Sequence, residues 1–278
     1  MMTNKTIPLH SNKSTDSRDA IWDEIRLEVE AASAIEPVLT SFFHSTVLNH
    51  QSLECALSFH LANKLDNPTT SAILLKEVIQ EALVSDPSIS ATMRCDLMAI
   101  RERDSACSSY HVPFLYFKGF HALQAYRVAH WLWNQDRKAL ALFFQNCIAC
   151  EFGVDIHPAA SIGRGILLDH ATGIVIGETT VVGNNVSIMQ SVTLGGTGKE
   201  EGDRHPKVGD GVLISAGAKV LGNITIGCGA KIGAGSVVLQ DVPEHTTMAG
   251  VPAKIVGHPS SDQPALDMNH GINCDMDN

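Results

Sequence analysis

Glycine is missing from the first 118 residues: all 22 glycines lie from Gly119 onward, and only Gly119 precedes Gly153. A front half without glycine but rich in helix formers excludes a turn-dense β architecture there, and predicts an α-helical domain over 20–150. The glycine-dense remainder calls for a different fold from 151 onward. Basic charge is also in short supply, with 20 Lys and Arg against 30 Asp and Glu and a net charge of −10. That balance argues against a nucleic acid or an anionic membrane as partner. No apolar run reaches the roughly 18 residues needed to span a bilayer. The first twenty residues lack an apolar signal core, so a cytoplasmic protein is expected. The seven cysteines are odd in number and scattered, as in a reduced chain. Cys147-Ile148-Ala149-Cys150 has no second pair and no thioredoxin-like setting, and reads as bystander thiols at a helix end.

What is present in the second half is a beat of six. Aliphatics fall at Ile156, Ile162 and Leu168, then at Ile176, Val182, Ile188 and Leu194, then at Val208, Ile214, Val220, Ile226, Ile232 and Val238. Neither the helical period of 3.6 nor the strand period of 2 produces a step of six. A three-sided coil of short parallel strands does, each aliphatic pointing into the prism. The predicted architecture is an N-terminal all-α domain (20–150) followed by a left-handed parallel β-helix of hexapeptide repeats (151–258). Residues 1–19 and 259–278 are expected to be flexible, being polar and poor in large apolar groups. In the front half, Glu36-Pro37, Asn67-Pro68 and Asp86-Pro87 divide the chain into short helices.

Two interruptions of the beat mark the candidate site. The step from Leu168 to Ile176 is eight residues and that from Leu194 to Val208 is fourteen. Insertions on one face of a solenoid commonly build its binding site. Three histidines with acidic neighbours sit at the irregular parts: Asp155-Ile156-His157, Asp169-His170 and Asp203-Arg204-His205. A coil of eighteen residues places Asp155 and His170, fifteen apart, nearly over one another, at about one strand spacing of 5 Å. An aspartate behind an imidazole fixes its tautomer and leaves the other nitrogen as a general base. His157 also reads as a plain turn residue of the first coil. Arg204 and His205 are either loop decoration or a forked grip on a carboxylate. Arg101-Glu102-Arg103-Asp104, by spacing alone, is a solvated helix end. Gly195-Gly196-Thr197-Gly198-Lys199 lacks the Gly and Ser/Thr positions of a phosphate loop.

The segments Val154-Asp155-Ile156-His157-Pro158, Leu168-Asp169-His170-Ala171-Thr172-Gly173 and Gly202-Asp203-Arg204-His205-Pro206-Lys207 closely resemble bacterial serine O-acetyltransferases. So do Gln190 to Lys199, the closing Ala249-Gly250-Val251-Pro252 and, in the helical half, Tyr116 to Arg127. The resemblance covers roughly residues 20–258. It implies transfer of acetyl from acetyl-CoA to the hydroxyl of L-serine, the first step of cysteine synthesis, with no metal. It implies His170 as general base, Asp155 as its partner, Asp104 and Asp169 on the serine ammonium, and Arg204 and His205 on its carboxylate. Gly195 and Gly196 are placed near the oxyanion and acetyl-CoA, with Ala216 and Lys231 as further acetyl-CoA candidates. Trimers of the β-helix, paired into hexamers by the helical domains, and feedback inhibition by L-cysteine are implied as well. In the family a terminal isoleucine anchors O-acetylserine sulfhydrylase. This chain reads Gly271-Ile272-Asn273 and ends Asp275-Met276-Asp277-Asn278, so that association is expected to be weak or absent.

Rival readings use the same prism. A hexapeptide acetyltransferase acting on a sugar differs by acceptor only. A γ-type carbonic anhydrase would recruit His157, His170 and His205 to zinc; against it stand Arg204 and the large helical domain. An inert assembly scaffold leaves the Asp–His pairs at the breaks unexplained.

Overall fold

The computed structural model describes residues 19–198 and 201–272. Helix α1 (Ala20–Ile35) begins where Asp19 Oδ1 accepts the Trp22 amide at 3.3 Å, and it stops before Pro37. A short α2 (Thr40–Phe43) runs into a π-turn at His44–Leu48. Then come α3 (Leu53–Leu65), α4 (Ala72–Ser85) and α5 (Pro87–Arg103). Asp86 caps α5 by accepting the Ser88 amide at 3.0 Å, and Pro87 supplies the preset first turn. Helices α6 (His111–Tyr116), α7 (Lys118–Asn134) and α8 (Lys138–Phe152) complete the helical part. Helix α8 ends at Gly153, whose φ of 67° is left-handed backbone that favours glycine.

From Val154 the chain winds as a prism. The first coil is β1 (Val154–Ile156), β2 (Ser161–Ile162) and β3 (Leu167–Leu168), the second β4 (Ile174–Ile176), β5 (Val181–Val182) and β6 (Ser187–Ile188). The third holds β7 (Thr193–Gly195), β8 (Lys207–Val208) and β9 (Leu213–Ile214), the fourth β10 (Lys219–Leu221), β11 (Thr225–Ile226) and β12 (Lys231–Ile232). Then follow β13 (Val237–Val238), β14 (Thr247–Gly250) and β15 (Ala253–Gly257). Every third strand stacks in parallel, giving faces β1-β4-β7-β10-β13, β2-β5-β8-β11 and β3-β6-β9-β12-β14, with β15 closing the last antiparallel. This is the left-handed parallel β-helix. The phased aliphatics form its axis: all are buried except Ile162, which is half-buried in the first coil. Each fully buried side chain contributes roughly 1.5–3 kcal/mol of transfer free energy.

The two parts share one core. Asp96 on α5, fully buried, accepts from Arg127 and Gln124 of α7 and from the Ile166 amide of the prism. Arg127 reaches on to the Gly163 carbonyl at 2.9 Å, and Tyr126 donates its hydroxyl to Ala160 O.

One expectation changes. Residues 259–272 are docked on the prism, because Pro264 starts a turn of helix α9 (Pro264–Asp267) that buries Ala265. Ser187 Oγ donates to Ala265 O at 2.9 Å, and the Lys231 ammonium donates to Gly271 O. The expectation for the terminal residues Asp275 to Asn278, and that for residues 1–18, lie outside the described residues.

Candidate active site

The first interruption is a tight corner between β3 and β4. His170 and Ala171 both take left-handed backbone, with φ of 54° and 61°. Such angles cost free energy in residues other than glycine and persist where the surroundings impose them. Here the imposing surface is the α6–α7 joint. Gly119 lies so close that a Cβ on it would collide with the Leu168 carbonyl oxygen, and the Lys118 ammonium donates to Thr172 Oγ1.

This packing opens a cleft of about 570 Å³ that contains Asp104, Tyr116, Lys118, Asp169 and His170. His170 is exposed, its side chain 71% accessible against 20% for Asp169. Burial pushes the Asp169 carboxyl above its ordinary range; Asp104 adds to this, and the His170 imidazole opposes it. Asp104 closes α5 and holds the following turn by accepting the Ala106 amide at 2.9 Å. Two carboxylates and an imidazole in one cleft make a site for a cation beside a base.

Asp155 is not joined to His170 within the chain. The first coil is longer than eighteen residues: Val154 pairs with Ile174 and Asp155 with Val175, twenty positions on. The corner insertion therefore carries His170 away from the position above Asp155, whose Oδ1 accepts from Gln145 Nε2 at 2.7 Å. His157 serves its own turn, Nδ1 accepting the Ala159 amide at 3.1 Å while the ring packs edge-on against Trp133.

Arg204 and His205 belong to the second interruption, the loop from β7 to β8, on the next edge of the prism. Both margins flank the five-stranded face. Arg204 Nη2 meets Glu178 Oε2 at 2.6 Å, and that guanidinium holds the Glu178 carboxyl below its usual range. His205 is buried, its ring packed where a Cβ on Gly177 would collide with it, and burial followed by the Arg204 charge lowers its pKa. Gly195 and Gly196 lie on this edge too, Gly196 beside Arg204 and His205. Ala216 sits on the His170 edge two coils away; its carbonyl accepts the Gly235 amide at 2.8 Å. Lys231 is buried on the six-stranded face, occupied with Gly271.

Sequence reasoning missed Lys118, Glu178 and Thr179. Glu178-Thr179 stands at an ordinary corner of the repeat, so no break in the beat pointed to it. Among the described residues no three His, Cys, Asp or Glu side chains converge as metal ligands, and no helix is long and apolar enough to cross a membrane.

A helical head on a hexapeptide prism, with its polar groups gathered at the interrupted corners, defines a transferase of the hexapeptide-repeat class. The family models agree: "Serine acetyltransferase, N-terminal" matches residues 21–125, and "Bacterial transferase hexapeptide (six repeats)" matches residues 205–240. The serine acetyltransferase of Escherichia coli K12 is 60% identical over 260 residues, covering 94% of this chain and 95% of that protein. The crystal structure of the Vibrio cholerae serine acetyltransferase superposes with a TM-score of 0.90 at 61% identity, covering 91% of this chain and 98% of that one. A serine acetyltransferase in complex with cysteine gives 0.88 at 60%, covering 90% and 98%. The Brucella abortus enzyme in complex with coenzyme A gives 0.87 at 51%, covering 88% and 98%. The chain belongs to the serine acetyltransferase family.

Proposed function

We propose that this protein transfers the acetyl group of acetyl-CoA to the hydroxyl of L-serine, with His170 as general base. The observation that carries the reading is the cleft in which Asp104 and Asp169 face the exposed imidazole of His170. The carboxylates take the serine ammonium, which sets the hydroxyl beside the base. His170 removes the hydroxyl proton as the oxygen attacks the thioester carbonyl, since a neutral serine hydroxyl is a poor nucleophile. The tetrahedral oxyanion collapses, the C–S bond breaks, and the proton held by His170 passes to the departing CoA sulfur. Gly195 and Gly196, free of side chains, give an oxyanion or a thioester close access to backbone amides.

Arg204 and His205 hold the serine carboxylate. They stand on a different prism edge from His170, so one chain supplies two half-sites. Parallel prisms arranged around a threefold axis set the His170 edge of one copy against the Arg204 edge of the next, which favours a trimer, with the helical domains joining two trimers. Asp155, held by Gln145 within its own chain, makes no contact with His170 of the same chain, and its pairing with that base is left to the assembly. Cysteine carries the same ammonium and carboxylate as serine and competes for the same groups; a relative of known structure holds it. The product places the enzyme in cysteine synthesis.

Release of free thiol from acetyl-CoA, with and without L-serine, tests the reading. Serine-dependent release that falls by at least 10²-fold in His170→Ala is expected for loss of a general base. No serine-dependent release by the wild type would overturn the acceptor, and a fully active His170→Ala would overturn the base.

A further inference from the structure

Thr179 is placed as a hub beneath the second half-site. Its Oγ1 accepts two backbone amides, Arg204 N at 3.0 Å and His205 N at 3.1 Å. A hydroxyl that accepts twice has one proton left to give; His205 Nδ1 stands at 3.0 Å to take it, and the competing acceptor, the Asp203 carboxylate, is held by Lys207. The Thr179 amide donates to the same nitrogen at 3.2 Å. Two donors converging on Nδ1 require it to carry a lone pair. In a neutral imidazole the proton then resides on Nε2.

Nε2 has no hydrogen-bond partner among the described residues. It lies on the side of the ring toward Gly177 and Gly196. Gly177 keeps the ring in place, because any side chain there would occupy the same space. The coil below thus delivers His205 as a fixed donor, and the coil above carries Arg204 next to it, braced by Glu178. The Lys207 ammonium clamps the two coils together by donating to Thr179 O and His205 O, both at 2.8 Å.

We propose that Thr179 is a positioning residue that fixes His205 as an Nε2–H donor and thereby selects a carboxylate-bearing acceptor. The inference rests on the reading that His205 meets the substrate carboxylate. An imidazole with the opposite tautomer would present a lone pair to that carboxylate and repel it. With Nδ1 occupied by donors, protonation of the ring must break two hydrogen bonds. The charged groups that face the ring are Arg204, Glu178, Lys207, Asp203 and His157; both carboxylates among them are engaged, Glu178 by Arg204 and Asp203 by Lys207.

The experiment is nitrogen-15 NMR of the histidine-labelled enzyme, with His205 assigned by comparison with His205→Gln, alongside steady-state kinetics. The wild type should show His205 as a single Nε2–H tautomer. Thr179→Val removes the hydroxyl at nearly constant volume, and should mix the tautomers and move the onset of protonation to higher pH. It should raise KM for serine about tenfold, the scale of one hydrogen bond to a charged group, and leave KM for acetyl-CoA within about twofold. Thr179→Ser, which keeps the hydroxyl, should restore both signals. An Nδ1–H tautomer in the wild type overturns the proposal without any variant, as does a Thr179→Val enzyme that keeps a pure Nε2–H signal. If the tautomer is released in Thr179→Val but KM for serine does not move, the tautomer assignment stands and the contact of His205 with the substrate carboxylate falls.

Discussion

The guanidinium of Arg127 and the carboxylate of Asp96 form a buried ion pair, with Nε and Nη2 reaching one oxygen at 3.0 and 2.8 Å. The other oxygen accepts the Ile166 amide at 3.0 Å, so a single carboxylate ties two helices to the first coil. Removing one partner of such a pair leaves an uncompensated buried charge, at a cost of about 3–5 kcal/mol. Asp96→Ala should lower the urea midpoint accordingly and loosen helices and prism together. Hydrogen exchange at Ile166 and in α7 would report it; an unchanged midpoint would refute this role.

Gly119→Ala tests how the His170 corner is seated. The added methyl meets backbone, which cannot swing aside, so the joint must retreat from Leu168. Overpacking of this kind costs about 1–3 kcal/mol. Activity should fall more than stability predicts, because His170 follows the Leu168-Asp169 backbone. Activity measured well below the melting transition separates the two effects.

On the proposed reading, Asp104→Asn removes one of the two charges that meet the substrate ammonium while keeping its Asx turn. KM for serine should rise about 10- to 100-fold, and KM for acetyl-CoA should stay constant, as expected for a contact of about 1.5–3 kcal/mol made to one substrate only. Equal rises in both constants would place Asp104 outside the serine site.

His60 and His121 lie edge to face in the helical core, 4.9 Å between centroids, with Nε2 of each on a carbonyl of α6 (Leu115 and Phe114). Burial lowers the His60 pKa to about 4 and that of His121 well below its ordinary value. The unfolded chain takes up these protons near pH 6.5 and the folded chain does so only near 4 for His60. Stability is therefore lost as pH falls from about 6.5 toward 4, by roughly 3 kcal/mol for His60 at full extent. His60→Gln preserves an Nε donor but does not titrate, so its urea midpoint should fall less than the wild type's between pH 7.5 and 5. Parallel behaviour of the two proteins would show that His60 contributes nothing to acid sensitivity.

The prism was legible because a step of six has few structural causes, and the strand pairing keeps that register throughout. The proline-marked helix breaks at 36–37, 67–68 and 86–87 also lie where helices end or begin. Asp155 and His170 are not stacked within the chain, because a count of eighteen residues fails where the coil itself is dilated to twenty. Thr179 escaped notice for a related reason: its partners are 25 and 26 residues later in the chain, brought over it by a loop whose length the repeat does not dictate. The docked segment around Ala265 was hidden by its polar composition, since its buried residues are one small residue and one proline, and hydrogen bonds from Ser187 and Lys231 to its backbone do the rest.

The dilated coils carry a consequence for how such a molecule can change. Val154 stacks under Ile174 and Thr193 under Lys219, with the eighteen-residue step of Lys219 to Val237 beyond. Extra residues at a corner thus add girth but no height, and the ladder above resumes in phase. A single residue inserted within a strand would instead shift the reading frame of every aliphatic beyond it, turning core positions outward. Corner loops can therefore lengthen, shorten or be exchanged between members of this architecture while the column that carries them stays the same.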